Sequence, residues 1–281
     1  MPTFGRLIAL AFIRAKFKIL AAISKKKAAR SALDLFCTPP TRDIRELPEL
    51  FQQAEEIRLD FDNHHVVGYR WNHGAGKKVL VNHGFESTAI NFVAYVAPLL
   101  KKGFEVILFD APAHGRSPGK RINTIIYRDM IKAIDARFGP IRNFVGHSLG
   151  GLSVSLAMAE IPHDRDCKLV LMAPAANTST AIDNFFRLLR LPVSLKPWFI
   201  SELEDRGGHP LSWFMISRAL EQVKAQVLWL HDEDDQVTPV RDARAVEAKQ
   251  FPNIRFVYTH GFGHSRIYRE QSVIDEVVRF L

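Results

Sequence analysis

The sequence predicts an α/β fold, a mostly parallel sheet with helices on both faces. Three observations carry that expectation. Short continuous apolar runs recur at residues 79–81, 106–109, 144–145, 169–172 and 227–230, as strands buried on both faces require. Segments of helical spacing lie between them, among them Phe92, Val93, Val96, Leu99 and Leu100, and this alternation builds a layered sheet. The run Phe144-Val145 ends in Gly146-His147-Ser148-Leu149-Gly150, which reads as strand, sharp turn and helix with a serine at the apex. Glycines two residues either side keep side chains out of such a turn.

Composition bounds the class. At 281 residues, 47% hydrophobic and 24% charged, the chain is one large domain or a domain with an insertion. It has no repeats and no low-complexity tract. Cys37 and Cys167 lie 130 positions apart and read as buried free thiols rather than a disulfide. No Cys/His cluster has metal-ligand spacing, so neither a metal nor a cofactor is expected. The net charge of +8 is concentrated: residues 1–33 hold Arg6, Arg14, Lys16, Lys18, Lys25, Lys26, Lys27 and Arg30 and no acid. Residues 34–281 therefore sum to zero, and nucleic acid is not an expected partner of the body.

The elements follow in order. Residues 4–35 read as helix, without a clean apolar face. Their longest uncharged run, 7–13, is far short of the roughly 20 residues that cross a bilayer. Residues 56–61 and 66–71 flank an Asp62-Asn63-His64-His65 turn as a hairpin. A strand at 79–81 runs into Asn82-His83-Gly84-Phe85, a helix spans 88–102 and Gly103 caps it. The strand at 106–109 leads to Asp110-Ala111-Pro112-Ala113-His114-Gly115-Arg116-Ser117, and the helix 124–138 closes at Gly139-Pro140. The serine turn and its helix come next, then the strand 169–172. Residues 179–224 break the alternation with three apolar clusters, around Phe185-Phe186, Trp198-Phe199 and Trp213-Phe214. They read as a small helical lid, some of whose aromatic side chains would face a substrate. The sheet resumes at 227–230 and leads to His231-Asp232-Glu233-Asp234-Asp235. A helix at 241–249, a last strand at 254–258, Gly263-His264 and a C-terminal helix from about 270 complete the chain. The expected division is a basic helical segment, 1–40, a core of 41–178 and 225–281, and the lid, 179–224.

A serine hydroxyl needs a base within hydrogen-bond reach, and the base needs a third group that fixes its tautomer. Ser148, an acidic loop and His264 each follow a predicted strand, in that chain order. With His83-Gly84-Phe85, Asp110-x-Pro-x-His114-Gly115-x-Ser117, the turn 146–151, Asp235-x-Val237-x-Pro239 and Gly263-His264, the sequence resembles the α/β-hydrolase superfamily from about residue 54 onward. The resemblance implies a mostly parallel eight-stranded sheet with a helical lid. It also implies Ser148 as nucleophile, His264 as general base, Asp235 as orienting acid, and the Phe85 and Leu149 N–H groups as oxyanion donors. Asp235 is preferred because the family's acid precedes x-Val-x-Pro; Asp232 is the reserve choice, with Glu233 and Asp234 read as solvated. His83, His114, His147 and His231 read as structural. Ala113 stands where the family often has glycine, a departure read as neutral.

The function expected is hydrolysis of carboxylic esters with an apolar acyl or alcohol part, through an acyl-enzyme on a small-molecule substrate. The alternatives are C–C bond hydrolysis or a peptidase on the same fold, or a ligand-binding protein that has kept the triad. The expected localisation is cytoplasmic. For residues 1–33 two readings stand: a helix packed on the body with its lysines in water, or a peripheral contact with the inner face of a membrane, in which Leu7, Ile8, Leu10, Phe12, Ile13, Phe17, Ile19 and Leu20 would insert.

Overall fold

The computed structural model describes residues 4–40 and 44–281, with side chains described from Leu10 onward. The chain forms two compact units. One takes the N-terminal helices with Asn177–Phe214; the other takes Pro39–Ala176 and Met215–Leu281.

The larger unit holds eight strands: β1 (Glu55–Phe61), β2 (His64–Trp71), β3 (Lys77–Asn82), β4 (Phe104–Phe109), β5 (Asn143–His147), β6 (Lys168–Met172), β7 (Gln226–Asp232) and β8 (Ile254–Thr259). Their order across the sheet is β1-β2-β4-β3-β5-β6-β7-β8. The hairpin β1–β2 and the pair β2–β4 are antiparallel, and every later pair is parallel. The hairpin turn is tighter than expected. Asp62 and Asn63 alone make it, with Asp62 in the left-handed region at φ 45°. All six residues of β4 and all five of β5 are buried, which explains the apolar runs 106–109 and 144–145 within them. Each large aliphatic side chain so placed contributes about 1.5–3 kcal/mol.

In chain order the helices are α1 (Phe4–Ile23), α2 (Lys25–Phe36), α3 (Glu49–Gln52), α4 (Val93–Lys101), α5 (Thr124–Phe138), α6 (Leu149–Met158), α7 (Thr178–Leu189), α8 (Lys196–Gly207), α9 (Ile216–Leu220), α10 (Val240–Glu247), α11 (Gly263–Arg266) and α12 (Gln271–Phe280). Several carry readable ends. Asn123 caps α5 by accepting from Ile126 N at 2.8 Å, and Gly103 takes φ 80° after α4. β3 lies between β4 and β5, so the order reverses there, and such reversals are where open parallel sheets bind ligands.

The smaller unit differs from the expectation. Residues 4–35 form two helices, because Ser24 ends α1 and caps α2, its hydroxyl accepting from Lys27 N at 3.3 Å. These helices share one core with the segment read as a lid. Phe17, Ala28, Ala29, Ala32 and Leu33 pack with Ile182, Phe186, Leu189, Leu195 and Phe199. The small alanines let α2 approach α8 closely. Phe199 meets Phe36, Phe185 and Phe186 with ring centroids 5.4–5.9 Å apart. At the edge Arg206 bonds both Asp34 and Glu202 at 2.6 Å, and Arg30 reaches Glu202 at 3.2 Å. Phe186 and Phe199 are thus buried within this unit rather than turned to a substrate. Cys37 is half-buried, not buried as expected, and Cys167 is buried; neither is in a disulfide. The side chains of Leu7 and Ile8 lie outside the described residues.

Candidate active site

The register pairs Asn82 of β3 with Gly146 of β5, so the turns that follow these strands lie side by side. Ser148 sits in the second of them at φ 54°, ψ −120°, a strained conformation for a residue with a Cβ. Glycine is required around it. A Cβ at Gly146 would meet Gly151 Cα at 2.7 Å, and one at Gly150 would meet the His83 carbonyl at 2.5 Å. The turn is pinned by Ser148 N–H donating to Met172 O at 3.1 Å and by Ala175 N–H donating to Ser148 O at 3.0 Å. Leu149 opens α6, so its N–H is among those with no acceptor inside the helix.

His264 brings three of the expected residues together. Its Nε2 is 3.0 Å from Ser148 Oγ and its Nδ1 is 2.7 Å from Asp235 Oδ2. The other Asp235 oxygen accepts from Val237 N and Thr238 N, both at 2.8 Å. Burial would raise the Asp235 pKa, but the hydrogen bond and charge of His264, with the Thr238 bonds, hold it below the usual carboxylate value. Thr238 is a residue the sequence reading passed over. Its hydroxyl donates to Asp235 Oδ2 at 2.8 Å and lies 3.1 Å from His264 Nδ1. The motif contained it, but only the folded loop shows that its hydroxyl stands between acid and base.

Asp232, the reserve acid, is not solvated and does not reach His264. Oδ1 accepts from Gly263 N at 2.9 Å and Asp234 N at 3.1 Å. Oδ2 accepts from Thr259 Oγ1 at 2.7 Å and Phe262 N at 3.1 Å. Asp232 therefore holds the backbone that delivers His264, and these donors keep its pKa low against burial. Asp234 takes part too, accepting from Gly261 N at 2.8 Å. Glu233 pairs with Arg244 at 3.0 Å.

Four further histidines surround this cluster. His147 Nε2 donates to the His264 carbonyl at 3.0 Å, and its ring packs 4.8 Å from that of His264 and 4.5 Å from Tyr268. His83 accepts from Ala111 N at 3.0 Å through Nε2 and donates to Gly84 O at 2.8 Å through Nδ1, so one neutral tautomer satisfies both bonds. Burial, then the nearby His114, lowers the His83 pKa to about 3. Burial likewise lowers those of His147 and His231. His231 Nε2 donates to Thr238 O at 2.7 Å, bracing the acid loop.

Phe85 is set by the loop after β4. His114 Nε2 bonds the Phe85 carbonyl, which orients the peptide chain beside the serine turn. A Cβ on Gly84 would lie 3.1 Å from Ser148 Cβ, which shows how closely the two turns pass. Asp110 anchors the loop by accepting from Ala89 N at 2.8 Å and Arg116 N at 2.9 Å. Its carboxylate fills the space beside Gly115, where a side chain would clash at 2.2 Å. Ala113 in the same loop takes φ 68°, so the departure read as neutral places a Cβ in a left-handed conformation. Among the described residues no group of three His, Cys, Asp or Glu side chains is placed to hold a metal ion.

A model of the alpha/beta hydrolase family matches residues 73–274. The bifunctional esterase/perhydrolase DCH of Acinetobacter calcoaceticus is 24% identical over 254 residues, covering 73% of this chain and 91% of that protein. The uncharacterized protein YqkD of Bacillus subtilis (strain 168) is 22% identical over 234 residues, 76% of this chain and 74% of that protein. The structure of the Pyrococcus furiosus esterase Pf2001 superposes with a TM-score of 0.65 at 19% identity, over 87% of this chain and 97% of that one. This last likeness is one of fold.

Proposed function

Because the chain belongs to the alpha/beta hydrolase family and is a hydrolase, we propose that it cleaves carboxylic esters with an apolar acyl or alcohol part through an acyl-enzyme on Ser148. The observation that carries this reading is His264, whose two ring nitrogens reach Ser148 Oγ at 3.0 Å and Asp235 Oδ2 at 2.7 Å. His264 Nε2 takes the hydroxyl proton as Oγ attacks the ester carbonyl, and Asp235 stabilises the imidazolium through Nδ1–H. The N–H groups of Leu149 and Phe85 receive the charge that develops on the carbonyl oxygen. Collapse expels the alcohol, which takes the proton from His264. Water, deprotonated by the same nitrogen, then releases the acid from Ser148.

The similarity to an esterase/perhydrolase supports an ester as the bond cleaved. The half-buried Phe85 ring, on the turn that Gly84 brings against Ser148, supports an apolar group on the substrate. The test pairs a fluorophosphonate probe with p-nitrophenyl esters of increasing acyl length. Wild type should be labelled and should turn over the esters, with rates that depend on chain length. Ser148→Ala should lose labelling and about a million-fold in kcat with an unchanged melting temperature. Retention of a tenth of the activity by that variant would remove Ser148 from the role of nucleophile.

A further inference from the structure

Helix α1 has two apolar faces, and only one of them is used. Leu10, Ile13, Phe17, Leu20 and Ala21 join the core of the helical unit. On the other side Phe12, Ile19 and Ile23 are 71%, 63% and 74% exposed. At 3.6 residues per turn these three side chains fall within an arc of roughly 40°, and the exposed Ala15 and Ala22 border them. This arrangement explains why α1 shows no clean apolar face in sequence: the helix is apolar on opposite sides. A helix with that pattern is ordinarily buried all round, whereas here a second stripe meets water.

Charge surrounds the stripe. Lys16 and Lys18 are exposed beside it, and Lys25, Lys26 and Lys27 are exposed where it ends. Among the described residues none of these five lysines is ion-paired, while Arg30 is drawn to Glu202. Among the described residues no helix is long and apolar enough to cross a membrane.

We propose that the outer face of α1 is a docking surface for an anionic lipid bilayer. The helix lies in the plane of the surface, with Phe12, Ile19 and Ile23 inserted among the acyl chains and the lysines set against lipid phosphates. The chemistry selects this partner. A second copy of the same face would set lysines against lysines. Two of the three apolar side chains are aliphatic and cannot stack on nucleic-acid bases as aromatic rings do. An apolar stripe flanked by lysines is the combination that interfacial helices present to acidic headgroups.

The experiment is co-sedimentation of the full chain with vesicles of phosphatidylglycerol mixed with phosphatidylcholine, and with pure phosphatidylcholine. Wild type should bind the anionic vesicles at least tenfold more tightly and should release as salt reaches about 0.5 M. Phe12→Gln/Ile19→Gln/Ile23→Gln retains good helix formers and should lose at least tenfold in binding, with unchanged helical content and ester turnover. Lys16→Gln/Lys18→Gln/Lys25→Gln should narrow the preference for anionic vesicles. Equal binding to both vesicle types, or wild-type binding by the Phe12/Ile19/Ile23 variant, would overturn the proposal. So would a salt-resistant wild-type dimer that the same variant converts to monomer without any vesicle binding, since the stripe would then join two copies.

Discussion

The two units of this chain are built on opposite principles. In the larger one the central strands are built around short apolar runs, and the residues around Ser148 stand on turns that adjacent strands deliver side by side. In the smaller one the core is assembled from α1 and α2 on one side and α7 and α8 on the other, segments far apart in the sequence. The contrast teaches that short-range pattern is enough to specify a sheet strand by strand. A helical unit built from two distant pieces must be specified by the match between faces.

The largest test of the contrast lies in the acidic loop. Asp235→Asn should cost about ten thousand-fold in kcat by disturbing the His264 tautomer, with a fall in melting temperature as well, since the same carboxylate accepts from Val237 N and Thr238 N. Asp232→Asn removes acceptor capacity from a carboxylate that gathers three donors of the segment leading to His264 and one of its own loop. A displacement of His264 by about 1 Å would cost on the order of a hundred-fold, and the melting temperature should fall as well. Steady-state kinetics separates the two roles by the size of the loss, and thermal melts check both falls. If Asp232→Asn keeps full activity, the loop does not need its brace.

Phe199→Ala probes the helical unit. Emptying so buried an aromatic site should cost about 3–5 kcal/mol. Calorimetry should show an early transition for this unit while fluorophosphonate labelling of Ser148 persists to higher temperature. A single transition moving as a whole would make the two units one cooperative block.

Acid should separate the units by another route. His83, His147 and His231 all belong to the larger unit and all have lowered pKa values. They stay neutral in the fold but take up protons once unfolded. Stability is therefore full above about 6.5 and is lost as pH falls below it, by up to about 1.4 kcal/mol per pH unit for each histidine. For His83 the loss continues towards 3. Below about 4 the lowered pKa values of Asp232 and Asp235 add a further loss as those carboxylates protonate. Residues 1–38 and 177–214 contain one histidine, His209. The urea midpoint of the larger unit should hold from pH 8 to 6.5 and fall by pH 5, with that of the helical unit less affected. The smallest effect expected is that of Ala113→Gly. It removes the left-handed penalty, about 1–2 kcal/mol, while adding about 0.5–1 kcal/mol of unfolded-state freedom. The urea midpoint should rise by the equivalent of roughly 1 kcal/mol or less.

Much of the larger unit was legible before any coordinates. Its strands follow from apolar runs, and Ser148, His264 and Asp235 follow from a motif order that the fold brings within hydrogen-bond distance. Asp232 stood as the reserve acid because nothing in a run of four carboxylates tells which of them the histidine will meet. Three of the four donors that hold Asp232, Gly263 N, Phe262 N and the Thr259 hydroxyl, lie 27–31 positions away, which sequence spacing does not reveal. Some of the aromatic side chains of the clusters around Phe186 and Phe199 were read as facing a substrate because an aromatic cluster gives no sign of which surface it covers. The break at Ser24 was missed: serine is an N-cap residue, but the three lysines after it are the opposite of the acidic first turn that marks a helix start.

The division of the helical unit also sets a timetable for synthesis. Phe36 leaves the ribosome 142 positions before Thr178, the start of α7. At about 5–20 residues per second, α1 and α2 wait roughly 7–28 s for the helices that complete their core. Through that interval the waiting face of α2 is largely Ala28, Ala29 and Ala32, side chains that expose little apolar area. Three of the large aromatic side chains, Phe185, Phe186 and Phe199, emerge late, when the helices that carry Phe17 and Phe36 are already made.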